Sequence, residues 1–171
     1  MSEYYSKENA RDSQLYVNEK IVKDLGYFVK SDNGNSYIYN YHLTDFNRLI
    51  ISYELSPSGF FSTSSYHAQA YDLNSVNTQE ISVCFKTNGS FFFSENWYET
   101  SFKAKIDDMP YTVKLFSKEE LTIYNELVAH IKRYGKQESE SNKPKSRVAE
   151  LRELYEDGIL TKEELLNLLE K

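Results

Sequence analysis

Cysteine is almost absent from this chain: one residue in 171, Cys84. A lone thiol cannot close an intrachain disulfide, so a folded core must do the holding, and such usage suits a reducing compartment. Glycine is scarce as well, six residues with no G-x-G spacing, which argues against a glycine-rich phosphate loop. There are three histidines, His42, His67 and His130, and no two share ligand spacing. A helical zinc pair needs i, i+4, so three unrelated histidines and no metal site are expected. Long apolar runs are missing. Leu49-Ile50-Ile51 and Phe91-Phe92-Phe93 fall far short of the roughly 20 residues that cross a bilayer, so no transmembrane segment is expected. The polar start MSEYYSKENARDSQ does not read as a secretory leader. Cation is in deficit, 20 Lys and Arg against 26 Asp and Glu, for a net charge of −6. Broad binding to nucleic acid or anionic membrane, which needs phosphates neutralised, is therefore not expected. These absences together read as a soluble cytoplasmic protein.

What is abundant is aromatic. Tyr and Phe number 15 and 10 beside one Trp, and tyrosine favours strands and half-buried surfaces. From residue 37 to residue 116 the texture is β. Tyr37 to His42 and Arg48 to Tyr53 are rich in strand formers. Ile81, Val83 and Phe85 alternate with Ser82, Cys84 and Lys86, the period of a half-buried strand. Asn88-Gly89 is the strongest hairpin signal and should join that strand to residues 90–93. Before this region, Leu15, Val22 and Leu25 predict a helix over about residues 12–25, stopped by Gly26, with a turn cluster at residues 31–35. After it, Ser117 and Glu120 form a capping box for a helix with Leu121, Tyr124, Leu127, Val128 and Ile131 on its apolar face.

Residues 136–146 are polar and charged and read as a linker. The last 25 residues, RVAELRELYEDGILTKEELLNLLEK, read as two short helices. Val148, Leu151, Leu154 and Tyr155 make one stripe, and Gly158 suits a helix stop. Thr161 and Glu164 make a T-x-x-E capping box, and Leu165, Leu166, Leu168 and Leu169 form a second stripe. Helices this short are marginal alone, so their leucines need a surface to dock on. The segment resembles the bacterial short C-terminal (SHOCT) domain through Leu151, Leu154, Gly158, Ile159, Leu160, Thr161, Glu163, Glu164, Leu165 and Leu168-Leu169. It departs at Leu165, where that family more often has Phe, and in its shorter tail. The resemblance implies an interaction element that oligomerises, and the unburied apolar residues of the hairpin, Leu151, Leu154, Tyr155, Leu160, Leu165, Leu168 and Leu169, are the expected contacts.

Residues 42–131 are similar to a bacterial PH-like domain. Leu43-Thr44-Asp45 with Arg48-Leu49-Ile50-Ile51 carries the resemblance, with Tyr71 to Val76 and the closing helix. The extra residue between Asp45 and Arg48 and the long loop over residues 55–70 depart from it. The fold class expected is α+β: an antiparallel PH-like sheet or barrel with a closing helix, plus the C-terminal helical hairpin. The expected divisions are 1–36 (helix and turn), 37–135 (β domain with closing helix), 136–146 (linker) and 147–171 (hairpin). Phosphoinositide binding does not carry over. Residues 37–116 hold five cations (Arg48, Lys86, Lys103, Lys105, Lys114) against eight acids, and Lys103 and Lys105 with Ser101 read as a solvated face.

No catalytic set emerges. Cys84 shares a strand face with Lys86, which could lower a thiol pKa, but no histidine is placed as its base. Asp107-Asp108 and Glu119-Glu120 read as a solvated turn and a helix start, where acids suit the dipole. Consecutive aromatics at residues 60–61 and 91–93, and Trp97-Tyr98, must put some rings on a second face. Those rings would mark a partner site unless the N-terminal helix covers them. The expectation is a non-enzymatic binding or scaffold protein without cofactor that self-associates through its hairpin. One alternative is a phage or mobile-element protein that binds and blocks a host enzyme. A third reading, an enzyme or sensor pocket, requires His67, Cys84 and Tyr71 to converge.

Overall fold

The structure is a computed structural model that describes residues 6–59, 62–90, 93–135 and Thr161. The chain divides into two compact units, residues 1–136 and 137–171. In the second unit Thr161 is exposed, and the expected hairpin lies outside the described residues.

The first unit is a mostly antiparallel sheet curled into a half-barrel, with a helix at its C-terminal end. Helix α1 (Lys7–Asp12) precedes β1 (Ile21–Asp32), β2 (Asn35–Thr44), β3 (Arg48–Ser56) and β4 (Ser65–Asp72). A 3-10 turn leads to β5 (Ser82–Ser90), β6 (Phe93–Ile106) and β7 (Met109–Ser117), and α2 (Thr122–Tyr134) ends the unit. The strands form two meanders. β1 to β4 pair in sequence, β6 pairs with both β5 and β7, and the one register pair Asp72↔Lys105 links β4 to β6.

The turns explain the boundaries. Asn33 and Gly34, both at positive φ, join the register pair Asp32↔Asn35. Two such residues match the right-handed twist of the strands, so this Asn-Gly is the tight hairpin. Asp107 and Asp108, also at positive φ, do the same between Ile106 and Met109. This adjacent acidic pair is an exposed turn. Asn88-Gly89, by contrast, lies within the β5–β6 ladder, paired with Glu95 and Ser94, so it is not the turn between these strands.

The helix predicted over residues 12–25 is not formed, and the boundary at residue 36 falls inside β2. Its place is taken by the six-residue α1, capped by the Ser6 side chain, and by β1. Gly26, at φ +89, sits where the β1–β2 register shifts. A positive-φ glycine serves a β-bulge as well as a helix stop. The capping box expected from Ser117 and Glu120 does not form either. Ser117 Oγ accepts from Glu119 N, and α2 starts later with Leu121 as an N-cap without a side-chain bond. Leu121 is consequently exposed, and the buried face is Ile123, Leu127 and His130, with Tyr124, Val128 and Ile131 packed beside them.

The inner face of β1–β3 packs Phe28, Tyr41, Leu43 and Leu49 against Trp97, Phe102, Val113 and Leu115, with Ile123 and Leu127 of α2 over one end. Tyr41 ties the meanders together, its hydroxyl accepting from Phe116 N at 2.9 Å. On the outer face α1 packs on β3 and β4. The residues buried there are small or compact, Ala10, Ile50, Ser52 and Ala70, and let the helix approach closely.

Candidate functional site

The Leu-Thr-Asp-x-x-Arg segment serves architecture. Glu19, its side chain fully buried, accepts from Arg48 Nη1 at 2.5 Å, Thr44 Oγ1 at 2.5 Å and Tyr16 N at 2.8 Å. Arg48 also donates to Gln14 O at 3.1 Å and lies 3.8 Å from the Tyr16 ring centroid. Asp45 takes Lys20 N at 2.8 Å and returns its own N–H to Lys20 O. Asn47, fully buried at φ 53, turns the chain, accepts from Leu73 N and packs against Gly135. The β2–β3 turn therefore fastens the residue 14–20 segment. Beside it a cleft of about 250 Å³ is lined by Arg48, Lys105, Asp72 and Asp107, with the charge of Arg48 already answered by Glu19.

The histidines do three different things. His42 Nδ1 pairs with Asp24, while His42 Nε2 lies 3.5 Å from Ser52 Oγ. Serine, histidine and carboxylate in that order have the connectivity of a nucleophilic relay. The exposure is inverted, however: Asp24 faces solvent and Ser52 is 1% exposed, so its hydroxyl cannot meet a substrate. His130, on α2, is buried and its Nε2 has no hydrogen-bond partner among the described residues. Burial holds its pKa below the usual histidine range, with the Arg133 charge adding to the effect and a Thr44 backbone bond opposing it. His67 is exposed and stacks on Tyr53.

His67, Tyr71 and Cys84 do not converge. His67 and Tyr71 stand four residues apart along β4, about 13 Å at strand rise. Cys84 is exposed on β5, in register with Glu99. Of the face expected to be solvated, Lys103 is exposed, whereas Ser101 and Lys105 are half-buried. Glu119 and Glu120 are exposed residues just before α2. Among the described residues no three His, Cys, Asp or Glu side chains are grouped to hold a metal.

The feature that stands out is a row of rings across β1–β4. Register sets Phe28, Tyr39, Tyr53 and His67 side by side on the inner face. Tyr39 and Tyr53 centroids lie 5.6 Å apart, Tyr53 and His67 stack at 4.9 Å, and Phe28 and Tyr39 each touch Phe116. The next row outward begins with Lys30 opposite Tyr37. Lys30 Nζ lies 4.8 Å from the Phe116 centroid and 5.7 Å from that of Trp97. Exposure rises along this face. Leu43 and Leu49 under α2 are fully buried, whereas Tyr37, Tyr39 and Tyr53 are half-buried and His67 is open. Burial raises the hydroxyl pKa of Tyr39 and Tyr53, and neighbouring tyrosines add to it. Both therefore stay neutral, as hydrogen-bond donors, at physiological pH. Strand alternation in Tyr37-Ile38-Tyr39-Asn40-Tyr41 places three tyrosines on one face from sequence alone. Their union with Tyr53 and His67 depends on register, which sequence does not print.

Trp97 is buried and Tyr98 half-buried, while the side chains of residues 60–61 and 91–93 lie outside the described set. So do Leu151, Leu154, Tyr155, Leu160, Leu165, Leu168 and Leu169, the expected oligomerisation contacts. No helix among the described residues is long and apolar enough to cross a membrane. In comparison with known proteins, no family model, no curated protein and no solved structure matches this chain.

Proposed function

We propose that this is a non-enzymatic cytoplasmic binding protein: a PH-like β domain that takes a ligand on its tyrosine row, joined by a linker to a SHOCT-type hairpin through which the chain self-associates. The observation that carries the binding role is the row itself. Accessible rings held on the paired strands β2, β3 and β4 form a rigid surface whose further burial is favourable, and aromatic residues dominate the energetics of binding surfaces. A four-stranded meander, a three-stranded meander and a closing helix support the PH-like comparison. The division of the chain at residues 136 and 137 supports an appended second module. Its leucine stripes and capping box are the motive for self-association.

Light scattering on the full chain and on a chain ending at Lys136 tests the assembly. The full chain should give a multiple of its monomer mass and the shortened one a monomer. Monomers in both cases would refute self-association, and multimers in both would move it off the hairpin.

A further inference from the structure

We infer that the open end of the tyrosine row binds a flat aromatic ligand bearing an anionic group, its ring against Tyr37, Tyr39 and Tyr53 and its anion at Lys30. The inference rests on the row being the ligand face. Three observations set the ligand's chemistry. The first is shape. A row of rings across paired strands offers an extended bed, and a planar π system covers it with offset or tilted contacts at the spacings the rings already show among themselves.

The second is charge. Arg11, Lys23, Arg48, Lys114 and Lys118 each have a carboxylate in reach; the other Lys and Arg side chains among the described residues do not, and Lys30 differs from them in lying over two rings. Lys30 has none within ion-pair distance among the described residues, and half-buried between Phe116 and Trp97 it keeps an unanswered positive charge. The nearest carboxylate along its strand, Asp32, is exposed one row further out and makes no ion pair with Lys30, although its charge reaches Tyr39 and adds to the rise in that hydroxyl's pKa. Tyrosine faces alone would also suit a cationic ligand. Lys30 opposes that and selects the anion. The third is hydrogen bonding. Trp97 Nε1, in the ring beneath Lys30, is a buried donor with no acceptor among the described residues. Nε1 is itself closed to a ligand, so Lys30 is the charge-assisted donor at this end of the row, and an anionic oxygen is its complement.

Calorimetric titration of the full chain with 2-naphthoate and with its neutral isostere 2-naphthamide tests this. Fluorescence of Trp97, the chain's only tryptophan, follows the same titration. The carboxylate should bind at least about tenfold tighter than the amide and perturb Trp97 emission. Lys30→Met should erase the difference between the two probes, and Tyr53→Leu should weaken both, with the urea midpoint of each variant confirming the fold. Equal binding of the two probes, abolished by Tyr53→Leu, would overturn anion selection yet keep the row as a ligand face. No binding of either probe at millimolar concentration would remove the row as well, and neither outcome bears on the scattering result.

Discussion

Glu19→Ala should be the most damaging single change outside the apolar core. The Glu19 side chain is fully buried and that of Arg48 is 11% exposed. Deleting the carboxylate strands the guanidinium and leaves the Tyr16 N–H and the Thr44 hydroxyl without their acceptor. Breaking a buried pair from one side costs about 3–5 kcal/mol, because the remaining charge keeps its desolvation penalty. Total stability for a domain is about 5–15 kcal/mol, so this is a large fraction of it. With a urea slope of about 2 kcal/mol per molar, the midpoint should fall by roughly 2 M at unchanged slope. Trp97, buried in the first unit, is the natural probe, since its emission reports that unit alone. The double variant Glu19→Leu/Arg48→Met removes both charges at similar volume and should recover most of the loss. A cost below about 1 kcal/mol for Glu19→Ala, the worth of an exposed ion pair, would refute the reasoning. So would a double variant no better than the sum of the singles.

Two further variants probe other parts of the unit. Tyr41→Phe deprives the Phe116 N–H of its acceptor at a site 1% exposed and should cost about 1–3 kcal/mol in urea denaturation; no change would mean the bond carries nothing. His130 is held below its ordinary pKa, so it stays neutral in the fold while the unfolded chain gains a proton below about pH 6.5. Its contribution is therefore present above that pH and declines as pH falls toward the folded value. The stability difference between wild type and His130→Leu should shrink from pH 7 to pH 5, and parallel curves would exclude the linkage. Lys23, Glu126 and Arg133 line the same cleft and are constant between the two chains.

The sequence was most legible where one local rule decided the outcome. Alternation found β5, and the spacing of Leu127, Val128 and Ile131 found α2. It misled where one residue type serves two geometries. Gly26 at positive φ suits a helix stop and a bulge alike, and Leu15, Val22 and Leu25 fit a helical stripe although Val22 is exposed on a strand. Asn33-Gly34 and Asn88-Gly89 are the same dipeptide. Only the first has strands in register at both sides of it, so pairing and not local chemistry chose the turn. Leu43-Thr44-Asp45 and Arg48 were recognisable as a motif, yet their work depends on Glu19, a partner 25 and more residues away. The tyrosine row and the His42–Ser52 contact are likewise products of strand register, and periodicity within one strand cannot reveal a neighbour on the next.

The β2–β3 turn has a consequence for how the first unit opens. Its N-terminal segment is bonded there through Glu19 and Lys20, and the end of α2 rests there through Gly135 against Asn47. Fraying usually starts at chain ends, which cost least to release. Here the segment that enters β1 and the end of α2 both meet one five-residue stretch in the interior of the unit, so neither can peel away without disturbing the stretch that holds the other. Native-state hydrogen exchange should therefore show the amides of Lys20, Asp45 and Asn47 opening together, as one event close in free energy to global unfolding.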